Sequence, residues 1–204
     1  MAENLTTLER IHRAAKAEFL RKGYKDASLR NIVKSVDMTT GAFYGYYRSK
    51  EELFESLVGG HYAYLLDCFR KAQQEFANLP REQQPEVLSD ISGACMFEML
   101  HYAYAHLEEC KLILCCSEGT KFSGLIDTMV EIETEATHSY QKVLAELGRP
   151  SPQIDPVLEH ILITGMFHTF FELVIHEMPL RDAENYVKEM RTFYTAGWMK
   201  IMGQ

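Results

Sequence analysis

The sequence predicts an all-α chain: an N-terminal head of three short helices, joined by a long helix to a larger helical body. Three observations carry that expectation. Apolar residues recur at i, i+3, i+4 and i+7 in almost every segment, the period of one helix face. No run alternates apolar and polar residues for long enough to demand a sheet. Charge is also divided along the chain. Residues 1–50 hold ten Lys/Arg against five Asp/Glu, whereas residues 51–204 hold eleven against twenty-four, so a head of +5 precedes a body of −13. The expected domains are therefore 1–50 and 51–204, and a basic head on an acidic body suits a polyanion at one end only.

Taking the elements in order, Thr6-Thr7-Leu8-Glu9 fits a capping box, and Leu8, Ile11, Ala15 and Phe19 follow at helical spacing. Gly23 closes this first helix. Ser28 caps a second, with Leu29, Ile32, Val33 and Val36 as its apolar face, and Asp37-Met38 break it. Thr39 caps a third helix reaching Tyr47. Ser49-Lys50-Glu51-Glu52 opens the long fourth helix, which Gly59-Gly60 is expected to kink. Past a polar link flanked by Pro80 and Pro85, helices are expected at 86–106, 108–116, 121–147, 155–178 and 182–201, with breaks at 148–152 and at Pro179.

Composition sets outer limits. With 204 residues, 47% apolar and 25% charged, the chain is typical of folded soluble proteins, unlike a disordered tail, a collagen-like fibre or a disulfide-stapled miniprotein. The N-terminal stretch MAENLTTLER has neither the basic start nor the apolar core of a signal peptide. The apolar stretch Ile161–Ile175 is interrupted by His168 and Glu172 and falls short of the roughly 20 residues of a membrane-spanning helix. No membrane partner and a cytoplasmic location are expected. Cys68, Cys95, Cys110, Cys115 and Cys116 form an odd set with no CxxC pair, which speaks against a disulfide framework or a closed zinc site. Free, mostly buried thiols are the expectation, with a redox-sensing thiol as the alternative.

The second and third helices with their tight link read as a helix-turn-helix. On a wheel of about 100° per residue, Phe43 and Tyr47 share the inward face of the third helix. Gly41 and Gly45 fall opposite, beside Ala42 and Tyr44. Each glycine costs up to ~1 kcal/mol against alanine in a helix. Close approach to another surface accounts for such residues; a DNA groove is one such surface, a tight helix contact within the domain another. Arg10, Arg13, Arg30, Lys34, Arg48 and Lys50 lie on or beside these helices, where they suit phosphate contact or a solvated basic face. The helix starts near Ser28 and Lys50 offer backbone N–H groups to anions.

The run SLRNIVKSVDMTTGAFYGYYRSKEELF resembles the DNA-binding signature of the tetracycline-repressor (TetR) family of one-component bacterial regulators. In that family a glycine turn precedes a recognition helix ending Tyr-x-Tyr/Phe-Phe, followed by x-Ser/Asn-Lys-Glu-x-Leu. Here the pattern stands as Tyr44-Gly45-Tyr46-Tyr47-Arg48-Ser49-Lys50-Glu51-Glu52-Leu53, and the likeness covers roughly residues 7–56. The resemblance implies Thr39, Thr40, Gly41 and Ala42 at base edges, and Ser28, Tyr44, Tyr46 and Lys50 on phosphates. The sequence departs from the pattern at Asp37 for the turn glycine, Gly45 for a frequent histidine and Tyr47 for phenylalanine.

In the body, Ala183, Tyr186, Val187, Met190, Tyr194, Gly197 and Ile201 form an apolar stripe with Trp198 beside it, and helix 155–178 is apolar around most of its circumference. Such helices need cover on more than one side. The resemblance implies a homodimer through helices 155–178 and 182–201, which would read a pseudo-palindromic DNA operator. His168, Glu172 and His176, spaced i, i+4, i+8, suit either a metal or the wall of a pocket, and the pocket wall is the expectation. Met99, Tyr102 and Cys116 are further candidates for that wall. Glu133 is an inward candidate, whereas Glu131, Glu135 and His138 share an outward face. Buried Glu172 and Glu118 would suit a cationic or hydroxyl-bearing apolar compound. No cofactor and no resident metal are implied.

The function expected is transcription regulation. A dimeric DNA-binding repressor would be released from its operator when a small apolar effector favours a spacing of the two heads that no longer fits adjacent major grooves. Two other classes compete. A metal-dependent helical enzyme using His168, Glu172 and His176 would bind stoichiometric metal, yet the sequence has no second Glu-x-x-His pair and no nucleophile–base grouping. A helical protein-binding adaptor would show no salt-dependent DNA affinity. The chain is therefore read as not an enzyme.

Overall fold

The computed structural model describes residues 5–204; the first four residues of the stretch read for a signal peptide lie outside it. Among the described residues there are helices and no strands: α1 (Thr7–Asp26), α2 (Leu29–Ser35), α3 (Thr40–Phe43), α4 (Lys50–Ala77), α5 (Gln84–Ala105), α6 (Leu107–Cys116), α7 (Leu125–Glu146), α8 (Pro156–Ile175) and α9 (Leu180–Ile201). The all-α class and the helix order follow the sequence expectation. At the start of α1 the capping box closes in both directions. Thr6 Oγ1 accepts from the Glu9 amide at 3.3 Å, and Glu9 accepts from the Thr6 amide at 2.7 Å. Gly23 interrupts α1 with φ +74°, a left-handed backbone that glycine adopts without Cβ strain.

Several details differ from expectation. α4 runs as an unbroken helix through Gly59-Gly60, where a kink was expected. α7 begins at Leu125 rather than 121, because residues 121–124 form turns. α3 is α-helical for four residues only. Beyond Phe43, the Gly45 and Tyr46 amides bond three residues back, to Ala42 and Phe43, tightening the rest of the expected helix into turns.

The chain divides into two compact units. Among the described residues, the first comprises 5–64 and 106–124; the second comprises 65–105 and 125–204. The sequence places the division at 50, whereas in the structure the start of α4 belongs to the first unit. Leu53, Phe54 and Val58 have no exposed surface there. Phe54 meets Phe19 of α1 edge-on at 5.0 Å, and Phe122 lies 6.2 Å away on its other side. Each such fully buried aromatic contributes about 1.5–3 kcal/mol through area removed from water. α6 also packs within this unit, held to α1 by Lys16 with Glu108 at 2.6 Å and Glu109 at 2.9 Å.

The second unit is organised around Phe76, Tyr140, Leu144 and Met202, with Leu88, Ile91, Val143 and Trp198 packed against them. Phe69 meets Phe167 edge-on at 5.3 Å. α8 is 20 residues long, so with its first turn included it is long and apolar enough to cross a membrane by length and composition. Its Ile163, Phe167, Phe170, Phe171 and Val174 are buried in the unit's core, which accounts for that composition. The α9 stripe is turned inward for the most part. Ala183 and Val187 are fully buried and Met190, Tyr194 and Trp198 line a cavity, while Tyr186 and Phe193 stay exposed. The five cysteines are free thiols, with Cys95, Cys110 and Cys116 buried.

Candidate nucleic-acid interface and internal cavity

In the first unit, α2 is built on its caps. Ser28 Oγ accepts from the Asn31 amide at 3.4 Å, and Ile32 and Val33 carry the buried face. The α2–α3 link is a Schellman turn. The Met38 amide reaches the Val33 carbonyl at 3.2 Å, the Asp37 amide reaches Lys34 at 3.2 Å, and Asp37 takes φ +55°. Thus Asp37 fills the left-handed position at which the family resemblance leads one to expect glycine. Thr39 caps α3 by accepting from the Ala42 amide at 3.2 Å. Phe43 and Tyr47 point into the core, with the Tyr47 hydroxyl bonded to His12 Nε2.

Everything else on α3 and the following turn faces out. Thr39, Thr40, Gly41, Ala42, Gly45 and Arg48 are exposed, and Tyr44 and Tyr46 present large rings to solvent. The two glycines separate here. A methyl group added at Gly41 would meet nothing within 4 Å, whereas one at Gly45 would stand 3.2 Å from the Ala42 carbonyl oxygen. Gly45 therefore has a local reason. Gly41 has no contact within the chain that requires it, so the tight internal helix contact weighed from the sequence is absent at this position.

Several groups expected at phosphates already have partners. Lys50 Nζ donates to the carbonyls of Tyr24 (2.6 Å), Lys25 (3.2 Å) and Ala27 (3.1 Å) and lies 4.5 Å from the Tyr24 ring centre. Its three protons satisfy orphan carbonyls at the end of α1, a placement that also suits the negative end of the helix dipole. Arg10 similarly donates to the Val36 carbonyl at 2.6 Å. The Ser28 amide, expected as an anion site, is occupied by the buried Glu18 carboxylate at 3.2 Å, which also accepts from Asn31 Nδ2. Burial alone would raise the Glu18 pKa, but Arg21, the Ser28 amide and Asn31 together hold it below the usual carboxylate value. In sequence the only trace of this role is an acidic residue in an otherwise apolar helix face.

The second unit encloses a cavity of about 140 Å³, walled by Phe69, Phe76, Met99, Phe167 and Trp198, with Gln73, Glu133, Tyr140 and Arg191 as polar groups. A cavity of about 150 Å³ admits one benzene-sized ring. Glu133 accepts from Gln73 Nε2 at 2.6 Å, and burial pushes its carboxyl up to about 7. The buried Tyr140 hydroxyl, on the cavity wall, has no hydrogen-bond partner among the described residues.

Of the residues proposed from sequence for this wall, Met99 and Glu133 line the cavity. Tyr102, half-buried on α5, is not among the lining residues. Cys116 lies in the first unit, because α6 packs on α1. His168, Glu172 and His176 occupy the solvent face of α8, where Glu172 and His176 pair at 2.8 Å with 53% and 71% of their side chains exposed. Glu118 is exposed and paired with Lys25. The helix wheel groups these polar residues correctly but carries no sign of which side is solvent, since α8 is apolar nearly all round. No sequence signal links Tyr140, Gln73 and Arg191, because each sits on a different helix and no spacing joins them.

Residues 11–57 match the family model described as bacterial regulatory proteins, tetR family. An HTH-type transcriptional regulator of Bacillus subtilis (strain 168), itself uncharacterized, is 35% identical over 57 residues, and the match spans 28% of this chain and 29% of that protein. Among solved structures, a member of the TetR transcriptional regulator family from Streptomyces coelicolor A3 aligns with TM-score 0.55 and 15% identity, covering 100% of this chain and 92% of that one. GusR of Salmonella enterica aligns with TM-score 0.52 and 17% identity over 100% and 99% of the two chains. At such identities these structures show the fold. Residues 11–57 thus carry the DNA-binding motif matched by the tetR family model, on a chain whose helical fold is that of the solved TetR-family regulators it aligns with.

Proposed function

We propose that the protein is a dimeric transcriptional repressor, acting in the cytoplasm, that binds a palindromic operator through α3 and leaves it when a small apolar effector fills the cavity of the second unit. The observation that carries this reading is Gly41. It sits on an exposed helix, costs up to ~1 kcal/mol of helix stability and serves no contact within the chain. A backbone that must press against another surface explains it. Thr39, Thr40 and Ala42 flank it as base-edge candidates, and the hydroxyls of Tyr44 and Tyr46, with Ser28, stand as phosphate donors.

Dimerisation is supported by an uncovered apolar face. On α8, Val157, Leu158 and Ile161 are 67%, 46% and 58% exposed, and His168, Glu172 and His176 continue that face at helical spacing. On α9, Tyr186 and Phe193 are also exposed. A second copy of the chain, joined through helices 155–178 and 182–201, would cover these residues, and its two-fold symmetry would be mirrored in the operator. The effector would carry an apolar ring together with a polar group that reaches Tyr140 and Glu133. Coupling is reciprocal: the factor by which effector weakens DNA binding is the factor by which DNA weakens effector binding.

Selection of bound duplexes from a random pool, at low and moderate salt, tests the proposal. An enriched palindrome whose affinity falls steeply with salt is expected. No enrichment at either salt, from folded protein, would refute the DNA-reading function.

A further inference from the structure

In the first unit, well away from α3, His61 of α4, His106 at the N-cap of α6 and Glu109 in the first turn of α6 bring their ligand atoms within 4.8 Å of one another. The two imidazole rings are 4.7 Å apart between centres. All three side chains are half-buried, so one side of the group stays open to water. His106 and Glu109 are one helical turn apart and share a face, while His61 approaches from another helix.

From this geometry we infer that His61, His106 and Glu109 form a binding site for a borderline divalent transition-metal ion such as Zn²⁺, which would fasten α4 to the start of α6 within the DNA-reading unit. Two imidazoles, one carboxylate and a water make a common open zinc coordination set. With metal–ligand bonds of about 2.0–2.1 Å, tetrahedral ligand atoms stand about 3.3 Å apart, so closure takes side-chain movements of about 1 Å. The competing cation is Lys16, which bonds Glu109 at 2.9 Å. It also holds Glu108 at 2.6 Å, so giving up Glu109 to a metal leaves Lys16 with an anionic partner.

Neither His61 nor His106 signals the site in sequence, since they lie on separate helices with no fixed ligand spacing. The candidate noted there, His168 with Glu172 and His176, does not assemble: Glu172 and His176 pair with each other on an exposed helix face.

The test is titration of chelator-stripped full-length protein with Zn²⁺ against a chromophoric competitor, and with Co²⁺ followed by its visible absorption. One ion per chain is expected, weakened at least tenfold in His61→Ala, His106→Gln and Glu109→Gln, and tightened in Lys16→Met. Circular dichroism and melting of each variant without metal verify the fold, and Zn²⁺ should raise the melting temperature of the natural protein but not of His106→Gln. Absence of binding by the folded protein would overturn the inference. So would affinity unchanged in folded His61→Ala and His106→Gln, or affinity lost instead in a His168→Ala/His176→Ala variant.

Discussion

The Lys50 ammonium stands 2.6 Å from the carbonyl oxygen of Tyr24, and the same nitrogen serves the carbonyls of Lys25 and Ala27. A lysine at the entrance to α4, expected to meet phosphate, is thus occupied in closing the end of α1. Replacing it with methionine removes charge-assisted bonds worth roughly 1.5–3 kcal/mol each in isolation, though not additively. Lys50→Met is expected to lower stability by about 2 kcal/mol. The slope of log affinity against log salt should stay as in the natural protein. Urea denaturation and salt-dependent DNA binding check both halves, since loss of a true phosphate contact would reduce the slope by about one.

Glu133 makes stability depend on pH. Its carboxyl titrates near 7 in the folded chain, chiefly through burial, against 4.5 for the ordinary group. Between those values the folded state holds a proton that the unfolded state has released. This group's contribution therefore falls as pH rises through the window. Glu133→Gln keeps an acceptor for Gln73 and removes the ionisation. The variant should gain on the order of 2–3 kcal/mol over the natural protein at pH 8, and little at pH 4.5. Urea midpoints at the two pH values measure it; an equal difference at both would contradict the assignment.

The exposed faces of α8 and α9 set the dimer prediction. Ile161 and Phe193, 58% and 69% exposed, would be buried against a second copy. A carboxylate there would have to be desolvated on association. Ile161→Glu and Phe193→Glu are each expected to weaken dimerisation by roughly 100-fold, about 3 kcal/mol. Sedimentation at micromolar protein should then show monomer for the variants and dimer for the natural chain. Identical sedimentation of all three would remove these faces from the interface.

Much of the fold is legible because its signals are local. Thr6, Ser28, Thr39 and Ser49 are side-chain caps where helices begin, and the period of the apolar residues gives the helix order. Less legible is whatever depends on which helix lies beside which. Cys116, in an apolar stretch, reads as pocket wall in sequence, yet α6 packs on α1, and nothing local distinguishes one apolar surface from another. Hydrophobicity likewise does not orient α8, so the pocket wall expected at His168, Glu172 and His176 is in fact a solvent face. Charges on the head were legible in number but not in partner. Lys50, which the resemblance implies at a phosphate, donates to the Tyr24 carbonyl, and Arg10, equally suited in sequence to a solvated face, donates to the Val36 carbonyl. Conversely, Asp37 at φ +55° is a turn residue that composition alone marks as a break but not as a left-handed one.

The central claim is that the exposed face of α3 meets DNA, and Gly41 tests it most directly. Gly41→Ala adds a methyl group where nothing lies within 4 Å. It should stabilise the folded chain by about 0.5–1 kcal/mol through helix propensity. The measurement is the affinity of Gly41→Ala, beside the natural protein, for the selected operator under one salt condition. The account predicts a more stable protein that binds at least tenfold more weakly, because the added group holds the backbone off the groove. An affinity equal to that of the natural protein would contradict it and leave the glycine unexplained.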